Sequence, residues 1–298
     1  MTLKPGLVFE CPGMAREVTA TWRGLAEEFL RQVERPELVQ LLVTDNFEHA
    51  VQVWQRSTPS EFGDQGSADV YFASKVDGTR AAAKTVVLGE GQAVVIAAVG
   101  TLSLGVATAR WMLTHEAQHV RLHQSETAAW GVHRRSGQEI VSPRPWVFIW
   151  SAQNAIDEYR CEAVTHSQLP ERALAYGPDE FRVVLRHLDR ARMIGVVEGD
   201  LEHAYEVVTQ AVDRLAVLAA YSGAAIDGGR DTRQRWGMAS AVTPVWSALR
   251  RSPSVNEPTR PAALWRETLQ VSEALDQVLR RAGVELTFDD DQLALYFR

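Results

Sequence analysis

The sequence predicts an α+β fold with a small, mostly antiparallel sheet, two helices that carry the candidate site, and a mainly helical C-terminal half. Three observations support this prediction. Short runs rich in β-branched residues, separated by turn residues, lie in the N-terminal third of the chain. Two long stretches without glycine or proline, residues 106–123 and 146–168, have the composition of helices. Beyond residue 170, apolar residues recur mainly at helical spacing.

The first elements alternate between helix and strand. Residues 15–32 have helical spacing, and residues 38–43, LVQLLV, form a short apolar run typical of a strand. A second helix follows this strand. Asp45 is its predicted N-cap, because Glu48 stands three residues later in the spacing of a capping box.

Three strand-like runs precede the first of the two long helical stretches. They cover residues 69–74, 83–88 and 93–99, with turns at Asp77-Gly78 and Gly89-Glu90-Gly91. We therefore expect an antiparallel meander. If residues 93–99 form its edge strand, their free backbone groups could hold an extended peptide by strand addition; an ordinary central strand is the alternative.

The helix predicted over residues 105–123, with Thr101 or Ser103 as its cap, contains His115-Glu116-Ala117-Gln118-His119. This is an HExxH pattern. Residues four apart lie on one face of a helix, so the two imidazoles can bind one zinc ion. Zinc lowers the pKa of a bound water, and Glu116 is placed to take its proton. The pattern predicts hydrolysis, most often of a peptide bond, whereas the alternative is an exposed helical face with two unrelated histidines.

A catalytic zinc site needs a third protein ligand and leaves its fourth position to water. The only two cysteines, Cys11 and Cys161, are far apart, which argues against a cysteine-rich structural site. Glu158 and Glu162 lie four residues apart on the second predicted helix and share a face. Glu158 is the favoured ligand. Glu162 is either the alternative ligand or a hydrogen-bond partner of a ligating histidine, and Asp157 is the remaining candidate.

Further residues are candidates for the surroundings of the ion. His123 lies about 12 Å beyond His115 along the helix axis, which is too far for both to bind one ion. We therefore expect a packing role for His123. Hydrolysis also needs a hydrogen-bond donor for the oxyanion that forms on the attacked carbonyl, and the favoured donors are His203 and Tyr205. Other candidates are His166 and Tyr176 as donors, and Trp111, Trp146 and Trp150 as walls of the cleft.

The motifs resemble those of the gluzincin metallopeptidases, in which H-E-x-x-H is followed by E-x-x-[A or C]-[D, N or E]. The string HEAQHVRLH, residues 115–123, is similar to the H-E-L-G-H-x-x-L-H helix of the ImmA/IrrE family of intracellular bacterial zinc peptidases. EYRCEAVTHSQLP, residues 158–170, is similar to their third-ligand helix. The resemblance covers about residues 68–170, with Ala117-Gln118 in place of the usual Leu-Gly. It implies a zincin-like fold with one Zn²⁺, the ligands His115, His119 and Glu158, and the general base Glu116.

Composition restricts the class of protein. The chain has 298 residues, of which 46% are hydrophobic, so it can bury a substantial core. Its net charge is −7. No block of basic residues indicates nucleic-acid binding. The N-terminus lacks the apolar core of a signal peptide, and no apolar run approaches the roughly 18 residues needed to span a bilayer. The low cysteine content and the missing signal peptide predict a protein of the reducing cytoplasm. The missing apolar run predicts that it does not bind membranes.

The C-terminal half is predicted to be helical, and residues 1–170 and 171–298 are expected to form a metal-binding region and a helical region. Asp200 is a predicted N-cap, and residues 223–237 are rich in glycine and predict a flexible segment. The tail, residues 288–298, is expected to form a short helix. The helices in this half are predicted over residues 146–168, 179–192, 200–221, 241–250 and 262–282.

These patterns together predict a zinc-dependent hydrolase, most simply a metalloprotease acting on a peptide or protein substrate with Glu116 as general base. The alternative is a regulatory or binding protein that keeps the same scaffold, lacks peptidase activity and acts through its helical half.

Overall fold

A computed structural model describes residues 3–57, 83–137, 146–169, 178–228, 239–289 and 292–298. Contacts divide the chain into two compact units, Met1–Ala128 and Ala129–Arg298. The predicted division into residues 1–170 and 171–298 stays a prediction. Within the described ranges, no helix combines the length and the apolar character needed to cross a membrane.

The first unit contains a small sheet and three α-helices among its described residues. The strands are β1 (Gly6–Glu10), β2 (Val39–Thr44), β3 (Ala83–Gly89) and β4 (Gln92–Ala98), and the α-helices are α1 (Arg16–Leu30), α2 (Phe47–Arg56) and α3 (Val106–Gln124). Short 3-10 turns, Pro36–Leu38 and Val99–Leu104, precede β2 and α3.

The sheet is mixed, with strand order β1-β2-β4-β3, and the predicted mostly antiparallel arrangement is wrong. Among the described strands, β1 pairs with β2 and β2 with β4 in parallel, whereas β3 pairs with β4 antiparallel. All six residues of β2 are buried, as expected for a parallel strand covered on both faces. The sequence analysis did not predict β1, whose pairing with β2 places α1 in the connection between them.

β4 is an interior strand, so the hypothesis of peptide addition to residues 93–99 is wrong. Val95 of β4 is paired with Leu41 on one side and Thr85 on the other, which leaves neither edge of the strand free. The predicted turn at Gly89-Glu90-Gly91 is confirmed, since all three residues have positive φ angles. The predicted strand at residues 69–74 and the turn at Asp77-Gly78 lie outside the described residues.

Two predicted helix caps differ in the structure. Asn46, not Asp45, is the N-cap of α2, and its side chain makes no capping bond. Gly105, with a φ angle of 104°, is the N-cap of α3 in place of Thr101 or Ser103. The 3-10 turn before α3 explains this shift, because within it the Ser103 hydroxyl donates to the Gly100 carbonyl instead.

Side chains anchor α3 near both of its ends to α1 and to the segment that follows α1. Near the start, Arg110 forms two hydrogen bonds to the Glu28 carboxylate of α1, at 2.7 and 3.2 Å. At the end, Gln124 Oε1 accepts from the backbone N–H groups of Glu34 and Arg35, at 3.0 Å each. Gln124 Nε2 donates to the Arg35 and Gly91 carbonyls, so its amide is fully hydrogen-bonded.

The second unit is mainly helical, and its helix Trp146–Gln168 has the bounds predicted from the sequence. The predicted N-cap Asp200 of the helix Leu201–Asp227 is also confirmed, since the carboxylate accepts from the His203 N–H at 3.0 Å. The elements are α4 (Val132–Arg135), α5 (Trp146–Gln168), α6 (Pro178–Arg192), a π-helical turn (Met193–Glu198), α7 (Leu201–Asp227), α8 (Ala239–Leu249), α9 (Pro261–Arg281), β5 (Val284–Asp289) and β6 (Gln292–Phe297).

Two predictions for the second unit are wrong in part or entirely. The tail forms an antiparallel β-hairpin of β5 and β6, not a short helix. Residues alternate in polarity along VELTFD of β5, which is a strand pattern that the acidic turn obscured.

The predicted flexible segment at residues 223–237 begins inside α7, which continues to Asp227. Gly223 serves close packing there, because an added Cβ would collide with Trp246 of α8.

Glu267 on α9 makes the stability of the protein depend on pH. Burial raises the pKa of its carboxyl to about 7, and the Arg160 guanidinium only partly opposes this. Between about pH 4.5 and 7 the folded protein keeps a proton on Glu267 that the unfolded chain has lost, so the free energy of unfolding falls as pH rises. We expect Glu267→Gln to remove this decline, measured by urea unfolding at either end of the pH range. Glu273→Gln, an exposed change on the same helix, should retain the decline; an unchanged decline in Glu267→Gln would contradict the assignment.

Candidate metal centre

His115 and His119 lie on one face of α3, as their spacing predicts. The 19 residues of this helix include no glycine or proline, so no break separates the two side chains. Their Nε2 atoms are 3.1 Å apart, and their ring centroids 4.9 Å apart. Two imidazole nitrogens on a tetrahedral zinc ion with bonds of 2.0–2.1 Å would stand about 3.3 Å apart. The two rings therefore already have close to the separation that a shared ion requires.

Trp111 lies one turn before His115 on α3 and packs against its ring. Its ring stacks on His115 with 5.6 Å between centroids and 23° between planes. His115 is 4% exposed, whereas His119 is only partly buried. Trp111 therefore packs against the first histidine of the motif, and its role as a wall of the cleft stays a prediction. Trp146 and Trp150, 38% and 45% exposed, lie on α5 with ring centroids 6.2 Å apart, and their role as walls of a cleft stays a prediction.

Glu116, the predicted general base, is nearly buried. It is 9% exposed. The Thr85 hydroxyl of β3 donates to its Oε2 atom over 2.6 Å, a short bond typical of a hydroxyl on a carboxylate. Thr85 was not among the site residues predicted from the sequence. Its 31-residue separation from Glu116 has no local pattern, and only the position of β3 beside α3 brings the two together.

His115, His119 and Glu158 each offer a ligand atom, and these three atoms lie within 4.8 Å of one another. Glu158, on α5, is partly buried. Two imidazoles and one carboxylate are the ligand set of many catalytic zinc sites, and three ligands leave a tetrahedral position for water. The group could therefore hold a metal ion. His123 is not part of this group, and its packing role stays a prediction.

The acids on either side of Glu158 have other contacts. Asp157 Oδ1 and Oδ2 accept from the backbone N–H groups of Ala129 and Trp130, at 2.7 and 3.0 Å. Glu162 Oε1 lies 3.0 Å from Nε2 of His166, and both side chains are buried. The structure thus includes Glu158 in the metal-binding group and gives Asp157 a structural role. The expected hydrogen bond from Glu162 to a ligating histidine stays a prediction.

Arg160, two residues after Glu158, anchors α5 to another part of the second unit. The Arg160 side chain is fully buried, and its Nε donates to the Pro253 carbonyl at 2.9 Å. Its terminal nitrogens reach the Ser254 carbonyl at 3.3 Å and Asp157 Oδ1 at 3.8 Å. These contacts satisfy a buried charge and fix the part of α5 that carries Glu158. The sequence showed Arg160 only as a charged helical residue.

Among the described residues, neither His203 nor His166, the two histidines predicted as oxyanion donors, belongs to the group that could hold a metal ion. The Nδ1 atom of His203 lies 3.6 Å from Glu206, and its side chain is 44% exposed. Tyr205 packs against the hydrophobic core of the second unit. His166 faces Glu162, and Tyr176 lies outside the described residues. The donor role of these residues stays a prediction.

The geometry thus assembles two histidines, a glutamate and a neighbouring carboxylate of the kinds and spacing that a metal-dependent hydrolase uses. A comparison of the chain with protein-family models, curated proteins and solved structures found no match.

Proposed function

We propose that the chain is a zinc-dependent hydrolase, most simply a peptidase of the gluzincin type. One observation carries the proposal: ligand atoms of His115, His119 and Glu158 lie within 4.8 Å of one another, with Glu116 next in sequence to His115. The mixture of imidazole and carboxylate ligands suits zinc better than magnesium or calcium, which prefer oxygen ligands alone. The resemblance of residues 115–123 and 158–170 to the ImmA/IrrE motifs supports a peptide bond as the target and a zincin-like scaffold.

The chemistry would divide between the ion and Glu116. His115, His119 and Glu158 would hold the ion, which when bound supplies Lewis acidity and lowers the pKa of water. The Glu116 carboxylate would accept a proton from the attacking water and deliver it to the leaving nitrogen as the peptide bond breaks. Because Glu116 is nearly buried, its carboxylate would act in a medium that strengthens such electrostatic contacts.

A screen of peptide substrates tests the proposal. Zinc-loaded protein is incubated with a mixture of peptides, and cleavage is detected by mass spectrometry. We expect cleavage that a chelator stops and added zinc restores. Protein that holds zinc but cleaves no peptide or protein would contradict the hydrolase assignment.

That negative result would favour a binding or regulatory protein, for which the structure offers one specific observation. Met193, Val196, Val197 and Leu201 are each more than half exposed, on and just after the π-helical turn of the second unit. Neighbouring exposed apolar side chains are typical of interaction surfaces. A protein of this kind would act through its helical half.

The third ligand is tested by a matched pair of substitutions on α5. We expect Glu158→Gln to lose most zinc, because it weakens one of only three protein ligands. Glu162→Gln is expected to lower zinc affinity by about 10- to 100-fold at most, since the predicted role of Glu162 is a hydrogen bond to a ligating histidine and not a bond to the ion. Zinc affinity is measured by competition with a chelator, and thermal unfolding controls for folding of the buried Glu162 site. If Glu162→Gln loses more zinc than Glu158→Gln, the third ligand is Glu162, one turn further along α5.

A further inference from the structure

We propose that Thr85 is a positioning residue that holds the Glu116 carboxylate in the orientation needed to take a proton from water. The inference rests on the proposed hydrolase function. Thr85 belongs to neither sequence motif and lies on β3, from which its hydroxyl donates to Glu116 Oε2 over 2.6 Å. A strand of the sheet thereby fixes a side chain of the metal-binding helix.

The position of Thr85 in the sheet shows that packing alone does not require its hydroxyl. Thr85 is paired with Val95, which is paired with Leu41, so the three lie in one row on the same face. Both neighbours in that row are fully buried aliphatic residues. Valine has the same shape as threonine and would suit this row equally well. The hydroxyl instead has a specific partner, the Glu116 carboxylate.

The bond leaves one carboxylate oxygen of Glu116 available. Oε2 accepts from Thr85, whereas Oε1 has no hydrogen-bond partner among the residues that the structure describes. A glutamate side chain rotates about three torsions, and a short charge-assisted bond to a strand restricts that rotation. In the proposed reaction, the water proton moves to Oε1 and later to the leaving nitrogen, while Thr85 keeps its own proton.

This arrangement separates the role of Thr85 from metal binding. The hydroxyl contacts Glu116 and not the two histidines, so its removal should leave zinc affinity unchanged. Substrate binding should change little as well. The expected effect is on kcat, because a misplaced base is less able to accept the proton at the moment of attack.

Three variants test the proposal by steady-state kinetics. We expect Thr85→Val to lower kcat by about 10-fold with KM and zinc content unchanged, because the base loses its fixed orientation. Thr85→Ser, which keeps the hydroxyl, should recover most of the wild-type kcat. Thr108→Val is the matched control, since the partly buried Thr108 donates only to the Leu104 carbonyl in the turn before α3, and it should behave as wild type.

Unfolding of the metal-free protein provides a readout that does not depend on activity. Thr85→Val is expected to lower the unfolding midpoint where Glu116 is present and to have no effect in a Glu116→Ala background. Equal shifts in both backgrounds would overturn the contact itself. A Glu116-dependent shift with unchanged kcat in Thr85→Val would overturn the positioning role. If the zinc-loaded wild type hydrolyses no peptide, the hydrolase proposal and the positioning role fail together, while the unfolding comparison still decides whether the contact exists.

Discussion

Replacing Glu116 by glutamine is expected to abolish hydrolysis while leaving zinc in place. Glutamine has nearly the same shape and can still accept the Thr85 hydroxyl through its amide oxygen, so the local structure should persist. It cannot accept the proton of the attacking water. Loss of a general base typically lowers kcat by about 100- to 10,000-fold. The measurements are kcat on the best peptide of the screen, zinc content, and the thermal unfolding midpoint.

The matched control for this change is Glu27→Gln, the same substitution at an exposed position on α1. It should leave kcat unchanged. Undiminished turnover in Glu116→Gln would eliminate Glu116 as the base even if the protein proved to be a hydrolase. Loss of zinc together with activity would show instead that the glutamate supports the ligands.

Removing either histidine is expected to empty the metal site. Wild-type protein should hold about one zinc per chain, because three protein ligands suffice for tight binding. His115→Ala and His119→Ala each leave two ligands, and zinc measured by elemental analysis should fall close to zero. His115 is buried beside Trp111, so its replacement also removes packing. His119 is partly exposed, so its replacement separates the loss of metal from the loss of stability more clearly.

His49→Ala, at an exposed position on α2, is the control for histidine removal and should retain zinc. Equal zinc in the wild type and in both motif variants would eliminate the site. Zinc lost from only one of them would show that the other histidine is not a ligand.

Local patterns predicted the parts of the site that depend on spacing within one helix. α5 has its predicted bounds, and α3 begins one residue after its predicted start and ends one residue after its predicted end. Neither helix contains a glycine or proline, and α3 consists mainly of strong helix formers, so both can be assigned from the sequence. His115 and His119 meet for the same reason, since four residues make about one turn of a helix.

Features that depend on distant residues were not predictable in this way. β1 pairs with β2 across a connection that contains α1, and nothing in the short sequence GLVFE specifies a parallel partner. The bond from Thr85 to Glu116 needs the register of β3 beside α3. Glu158 and Glu162 share a helical face, and only the location of His166 one turn later shows where Glu162 points.

The fully bonded Gln124 amide has a thermodynamic consequence for metal uptake. It fixes the end of α3 through backbone groups of Glu34, Arg35 and Gly91, none of which depends on a metal ion. The two histidines therefore stand on a helix that is ordered before the ion arrives. In small zinc-folded domains, metal binding also drives chain folding and buries a large apolar surface. Here a calorimetric titration should show a smaller heat-capacity change than such domains do, because α3 does not have to fold when zinc binds.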